Sequence, residues 1–410
     1  MNKFTRKVSF LLLALVLSGF SAAQAAQTFL YLLYDGARAG EKNQVHGIAR
    51  ALKEHLPEDT VQKEFDLKEK EAFLADAHEN LFKEDSQNKG IILAAEVAGI
   101  DVLRQLKPQK NVLITHSSHQ FTKDHARLKD VADIVALPEY AVTAEVLKAI
   151  ESPHTTLIQT AGVPHNLSPA AIEEAFQGNK GIIPPAPAYV GVILGGDAET
   201  PEGELRFYTA KEAKELAAYI APQVKEKQSH LLILNGPRTG KHDQNTGKMI
   251  EGSHRDGTTD IITKTFKEDL QQQGLIEGKD FTLFDFQFGK PSAYPVVLGA
   301  LLKTKGPIFV AGESTSMVSE TADCLPKGLV TAFTNHAMNE NHKKHCSSEK
   351  EAGRISILEN TDGKWRLLEA KETGGLNSSR PASQIIAESI KKRFEEKVLS
   401  KTGQTATGSL

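Results

Sequence analysis

Short apolar runs without a helical period alternate along this chain with longer charged stretches whose apolar residues recur every three or four positions. Thr28 to Tyr34 (TFLYLLY) is the first such run, and it ends at Asp35-Gly36, a turn signal. Similar runs lie at Gly90–Ala95, Asn111–Thr115, Asp133–Leu137 and Thr156–Gln159. Continuous apolar strands separated by helices predict a parallel sheet covered on both faces. The rhythm stops at Gly181–Ala188, where Pro184, Pro185 and Pro187 cannot pair inside a sheet and favour an extended connector. It restarts with strands at Tyr189–Leu194, Leu231–Leu234, Phe281–Phe286, Ile308–Val310, Leu329–Phe333 and Ile355–Leu358. Between them Ala213, Leu216, Ala217, Ile220 and Val224 fall at helical spacing, as do Ile262, Phe266 and Leu270. Pro381 opens a last helix in which Ile386, Ile390 and Phe394 share a face.

The pattern therefore divides the chain into an α/β half at 26–183, a Pro-rich linker at 184–188, and a second α/β half at 189–376. A C-terminal helix at 377–398 and a frayed tail at 399–410 follow. Residues 1–25 read differently. Lys3, Arg6 and Lys7 precede the apolar run Val8–Leu17, and Ala23-Gln24-Ala25 offers the small-x-small pattern of a secretory signal peptide. Cleavage after Ala25 takes the formal charge from -3 to -6, because the leader carries Lys3, Arg6 and Lys7 and no acid. The run is shorter than the roughly 20 residues that span a bilayer, and no later stretch approaches that length. The expectation is an exported chain, periplasmic or secreted, with no transmembrane segment once the leader is removed; an uncleaved membrane anchor is the competing reading.

Near-balanced charge, Lys+Arg 49 against Asp+Glu 52, withholds the positive field that drives binding to nucleic acid. Cys324 and Cys346 can close at most one bridge in an oxidising compartment and cannot make a four-thiolate zinc site.

In open parallel sheets ligands bind beyond the carboxyl ends of the strands, so the loops there hold the candidate chemistry. The loop Asp35–Gln44 follows the first strand, and Gly36 and Gly40 let its backbone expose amides at a helix N-terminus. It is not a P-loop, since no Gly-Lys-Ser/Thr follows. Gly195-Gly196-Asp197 repeats that logic at the domain junction. Leu234–Gly240 places Arg238 and Thr239 at a strand end, and a guanidinium fork suits phosphate. The stretch Ala311–Glu320 (AGESTSMVSE) is the most informative. Gly312, Ser314, Thr315 and Ser316 bring hydroxyls and helix-end amides together, which suits a diphosphate, and Glu320 lies where a carboxylate accepts ribose hydroxyls. Plain turns and a well-capped helix are the competing readings of these loops. His116-Ser117-Ser118-His119 and the group His336, His342, His345 and Cys346 lack metal-ligand spacing, so no metal is expected. No Gly-x-Ser-x-Gly elbow of a serine hydrolase is present.

Taken in order, YDGARAGEKNQVHGIARAL, ADIVALPEY, GVPHNLSP, VGVILGG, LLILNGPRTG and VAGESTSMVSE resemble the "elongated mitochondria" (ELM) mitochondrial-fission family, whose members look like GT-B glycosyltransferases. The resemblance implies an α/β fold of two Rossmann-like domains with parallel sheets facing a cleft, and a C-terminal helix crossing back to the first domain. It implies a nucleotide diphosphate sugar donor in the second domain, held by Gly196, Arg238, Thr239, Gly312, Ser314, Thr315, Ser316 and Glu320. The first domain would take the acceptor, with Asp35, Gly40, Glu41, Asn43, Gln44 and His165 on its side, and with Glu41, Asp35 and His165 as catalytic candidates. Two departures stand out. Gly236-Pro237-Arg238-Thr239 replaces the family's Ser-Arg-Arg-Thr, and Glu41 stands where many bacterial members carry His.

The expected function is transfer of a glycosyl group to an acceptor hydroxyl. No metal or other cofactor is required, because helix-end amides and Arg238 stabilise the leaving diphosphate. The partners are a small-molecule donor and an unidentified acceptor. The alternative is a non-catalytic exported protein that binds a solute or a partner on the same two-lobed scaffold. Nucleotide affinity sensitive to Arg238 and Glu320 separates the two.

Overall fold

A computed structural model describes residues 26–200, 203–255, 257–370 and 380–399. Residues 1–25, where a leader is expected, and the tail from 400 lie outside the described residues.

Six parallel strands form the first sheet: β1 Thr28–Tyr34, β2 Val61–Asp66, β3 Lys89–Ala95, β4 Val112–Ser117, β5 Ile134–Pro138 and β6 Thr156–Thr160, in the order β2-β1-β3-β4-β5-β6. Residues of β1 alternate between two separate cores. Phe29, Tyr31 and Leu33 enter one, and Leu30, Leu32 and Tyr34 the other, which is why the strand reads as an unbroken apolar run. β2 escapes the apolar pattern because VQKEFD is a half-exposed edge strand. Helices α1 Ala39–Lys53, α2 Lys70–Ala77, α3 Glu96–Leu103 and α4 Ala144–Ile150 belong to this lobe.

The second sheet has seven strands: β7 Tyr189–Ile193, β10 His230–Leu234, β11 Phe281–Phe284, β12 Ile308–Ala311, β13 Val330–Phe333, β14 Ser356–Thr361 and β15 Lys364–Leu368, with a small hairpin of β8 Ala198–Glu199 and β9 Leu205–Arg206 set apart. Their order is β11-β10-β7-β12-β13-β14-β15, parallel except for the antiparallel β14/β15 pair. The helices are α5 Pro169–Asn179, α6 Ala210–Glu226, α7 Ile261–Gln272, α8 Tyr294–Thr304, α9 Thr315–Cys324, α10 Glu340–Glu351 and α11 Ala382–Phe394.

Two crossings join the lobes. α5 precedes the proline segment, yet Ile172 and Phe176 pack in one core with Val297, Leu301 and Val310 of the second lobe. The chain has thus changed lobes before residue 184, so the expected boundary at 184–188 falls inside the second lobe. The reason is packing: the apolar stripe of α5 finds its partner on α8, not on the first sheet. α11 returns, and Ile386, Ile390 and Phe394 share a core with Val45, Ile48 and Leu52 of α1. Lys397 anchors its far end on Asp133 at 2.7 Å. Among the described residues no helix is long and apolar enough to cross a membrane. Cys324 and Cys346 are both free and buried, and burial pushes both thiols up.

Candidate functional site

In each sheet the chain order reverses at one point, between β1 and β3 in the first and between β7 and β12 in the second. A crevice opens at such a point because the two connections leave on opposite faces. The two crevices face each other across a cavity of about 570 Å³ lined by both lobes. Arg38, Gly40, Asn43, Gln44, His119, Gln120 and Tyr140 come from the first lobe; Asp197, Arg238, Lys241, Ser314, Thr315, Ser316 and His342 come from the second.

The second-lobe wall is built on α9. Ser314 occupies its N-cap position, but the hydroxyl does not cap the helix. No acceptor among the described residues meets the amides of Thr315 and Ser316. A helix start of this kind, with Arg238 and Lys241 on the same wall, is a site of positive potential. Gly196 explains how the Arg238 loop comes so close: a Cβ there would sit 2.7 Å from the Arg238 Cβ. His342 is held neutral, its pKa lowered to about 4 by burial and by the Arg238 charge. Its Nδ1 accepts from the Asn339 amide at 3.1 Å, so the proton is on Nε2. Asp197 accepts from the His242 amide at 2.8 Å through Oδ2, whereas its Oδ1 is buried without a partner among the described residues.

A second, smaller cavity of about 290 Å³ adjoins this wall and is lined mainly by apolar groups, among them Leu234, Pro237, Phe284, Phe286, Tyr294 and Met317. Consecutive residues separate the two spaces. Pro237 and Met317 face the small cavity, and their neighbours Arg238 and Ser316 face the large one.

The first-lobe wall holds a buried carboxylate that the sequence reading passed over. Glu96 follows β3 directly and starts α3 with φ 56°. A non-glycine residue in that left-handed region costs about 1–3 kcal/mol and persists where surrounding contacts over-determine it. Those contacts are present. Oε1 accepts from Gln44 Nε2 at 2.7 Å, the His119 amide at 3.0 Å and His119 Nδ1 at 2.8 Å, and Oε2 accepts from Ser118 Oγ at 2.8 Å. Burial raises the Glu96 pKa, but the His119 charge and these hydrogen bonds outweigh it and hold the carboxylate at about 2. For His119 burial acts downward, and the Glu96 charge overrides it to leave the imidazole above its ordinary value.

Of the expected site residues, Gly40, Asn43, Gln44, Arg238, Ser314, Thr315, Ser316 and His165 reach the large cavity. His165 does so as a structural tie. Its Nδ1 accepts from the Leu167 amide at 3.2 Å, and its Nε2 donates to Asp323 at 2.8 Å, so neither nitrogen is free. Asp35 and Glu41 stand behind the wall. Glu41 accepts from the Asp35 amide at 3.2 Å, and burial, with the Glu96 charge adding to it, pushes its pKa up to about 7. Thr239 is buried, its hydroxyl accepting from the Gly236 amide at 3.0 Å, so it shapes the turn and touches no ligand space. Gly196 and Gly312 act through close packing; a Cβ on Gly312 would meet Met338 at 2.8 Å. Glu320 is also off the wall. It lies one helical turn below Ser316, buried beside Tyr294 and His165, with its pKa raised by burial. Elsewhere His254, Asp260 and Asp285 bring ligand-type atoms within 4.8 Å of one another. Their carboxylates are already engaged by Asn235, Thr259 and Thr263.

Two Rossmann-like lobes with their switch points turned toward a shared cleft define a GT-B-like protein. The chain belongs to the mitochondrial fission ELM1 family, whose profile matches residues 39–256, more than half of the 410. No curated protein matches it in sequence. Among solved structures it is similar to a UDP-glucosyltransferase from Polygonum tinctorium, at 10% identity over 94% of this chain and 96% of that one, TM-score 0.42. It is also similar to S. aureus MnaA in a co-structure with UDP, at 10% identity over 91% and 90% of the two chains, TM-score 0.42. A third is the catalytic domain of starch synthase IV from Arabidopsis thaliana bound to ADP and acarbose, at 10% identity over 93% and 100%, TM-score 0.41.

Proposed function

We propose that the cleft binds a nucleotide diphosphate sugar and that the protein transfers the glycosyl group to an acceptor hydroxyl. The observation that carries this reading is the shared wall between the two cavities. A diphosphate placed against Ser314–Ser316 and Arg238 has a polar space on one side and an apolar one across Pro237 and Met317 on the other. A nucleotide sugar has that sequence of parts: planar base, diphosphate, sugar. The base fits the space beside Phe284, Phe286 and Tyr294, where ring faces supply stacking partners. The unpartnered Oδ1 of Asp197 accepts a sugar hydroxyl, which relieves the cost of leaving it buried and unpaired. Charge developing on the departing diphosphate meets the α9 amides, Arg238, and the Nε2 proton of His342. These groups do the work without a bound metal.

In this reading Glu320 does not hold the ribose unless Tyr294 moves, and binding rests on Arg238 and the α9 turn. The leader adds that the mature chain works outside the cytoplasm, in the periplasm or beyond the cell. The test is thermal unfolding of the mature chain with nucleoside diphosphates and their sugars. A ligand at 100 times its dissociation constant adds about 2.7 kcal/mol. A shift lost in Arg238→Ala supports the donor site. A shift with free sugars and none with nucleotides supports the solute-binding alternative instead.

A further inference from the structure

The first-lobe wall combines three features that the donor site does not use. Glu96 is strained and buried, and the hydrogen bonds to its carboxylate come from Gln44, Ser118 and His119. Glu96 is buried and does not line the cavity, so its carboxylate meets these neighbours and not a ligand. His119 is different. Its Nδ1 is committed to Glu96, its side chain is 43% exposed, and among the described residues no hydrogen bond engages Nε2. The ring lies on the cavity wall beside Asn43, Gln44, Gln120 and Tyr140. The Tyr140 hydroxyl donates to the His119 carbonyl at 2.5 Å and fixes that backbone.

We propose that His119 is the proton acceptor of the first-lobe site, that Glu96 is its positioning residue, and that the acceptor is a polar polyhydroxylated molecule of the carbohydrate class. This rests on the nucleotide-sugar reading of the second lobe. With Nδ1–H held by Glu96, the neutral imidazole presents an Nε2 lone pair to the cavity. An acceptor hydroxyl gives its proton to Nε2 as its oxygen forms a bond to the anomeric carbon. The bond from that carbon to the diphosphate oxygen breaks, and its electron pair leaves with the nucleoside diphosphate. The imidazolium that results is paired with Glu96. Displacement of this kind from the face opposite the leaving group inverts the anomeric configuration. The acceptor class follows from the wall: Asn43, Gln120 and Arg38 offer side-chain hydrogen bonds, and the aliphatic residues on the first lobe's side of the cavity are Val163 and Pro164.

The charged groups around His119 set the sign of its pH behaviour. Glu96 and Glu41 favour the imidazolium, and Arg38 opposes it. His342 and His345 of the second lobe also feel its charge, but both are held neutral with pKa values of about 4. Activity therefore rises with pH, through a midpoint above the ordinary histidine value.

The experiment uses the mature chain with UDP-glucose, UDP-N-acetylglucosamine, ADP-glucose and GDP-mannose. It records nucleoside diphosphate release from pH 5 to 9, with water and with glucose as acceptor, beside nucleotide-induced thermal shifts. The expected result is a loss of at least about 100-fold in His119→Gln with the nucleotide shift retained, and a product of inverted configuration. In Glu96→Gln the midpoint moves to lower pH. An NMR titration of His119 in the unaltered chain supplies the same midpoint if Glu96→Gln does not fold. Full activity in His119→Gln overturns the proposal, as does a chain that binds nucleoside diphosphates and releases none at any pH. Absence of nucleotide binding in the unaltered chain takes down the donor-site reading itself.

Discussion

His165 donates through Nε2 to Asp323 at 2.8 Å, and in doing so ties the segment after the last strand of the first sheet to helix α9 of the second lobe. Asp323 in turn pairs with Arg354 at 2.7 Å, and Arg354 with Glu349 at 2.5 Å. All four side chains are almost fully buried. A histidine that reads as a catalytic candidate from its loop is thus part of the joint between lobes. His165→Ala is expected to lower stability by about 2 kcal/mol, because Asp323 then keeps a buried oxygen with one partner fewer. Chemical denaturation checks this. Unchanged stability with lost activity would return His165 to the chemistry.

Gly162 reports how closely the lobes meet. A Cβ there would lie 2.5 Å from Glu349 Oε1 and 2.7 Å from Ser319 Oγ, both in the second lobe. Ser319 Oγ also accepts from the Val163 amide at 3.1 Å. Gly162→Ala is expected to cost about 1–3 kcal/mol as overpacking. Calorimetry is the readout, and an unaltered melting profile would mean the joint yields easily.

Arg238 and Met317 sit on opposite sides of the partition between cavities. Arg238→Ala is expected to weaken nucleoside diphosphates about tenfold or more, since a charged hydrogen bond is worth roughly 1.5–3 kcal/mol. Met317→Trp fills the smaller space and is expected to abolish nucleotide binding while inorganic pyrophosphate still binds. Titration calorimetry with both ligands distinguishes them. Nucleotide binding retained in Met317→Trp would show that the apolar cavity holds no base.

Glu41 carries a pH signature. Its folded-state pKa of about 7 exceeds the ordinary 4.5, so the folded chain holds that proton more tightly than the unfolded one. Stability from this group is complete below the ordinary value and declines as pH rises toward 7. The expected decline is on the order of 2–3 kcal/mol, and Glu41→Gln removes it. Urea midpoints at pH 5 and 7.5 for the two chains make the comparison.

The reading of residues 1–25 as a secretory leader makes its own prediction. Expressed with residues 1–25 in place in a bacterial host, the chain is expected to yield an exported product beginning at Ala26. Intact mass decides, and a full-length product retained in the cell would remove the export reading.

Much of the framework was legible from apolar runs alone. β1 matches its expected range, Thr28–Tyr34, and most other strands shift by a residue or two. What escaped were β2 and β15, edge strands whose side chains are half-exposed and therefore carry no continuous apolar signal, and the two-residue strands β8 and β9. On the site, Arg238 and Ser314–Ser316 were found because a loop at a strand end is visible in sequence, and the sheet then places it at the cleft. Glu96 and His119 had a signal that went unused: each is an ionisable residue at or just after the end of a buried strand.

The sequence by itself determined the two α/β halves and the loops that bear glycine, hydroxyl and arginine, because burial periodicity and turn chemistry are local properties. Only the tertiary structure decided which of those residues share a cavity. Glu320 and His165 are spent on packing because neighbours distant in the chain, Tyr294 and Asp323, reach them first, and Thr239 closes the turn that starts at Gly236. Glu96 and His119, 23 residues apart, become one unit because adjacent parallel strands deliver both to the same switch point.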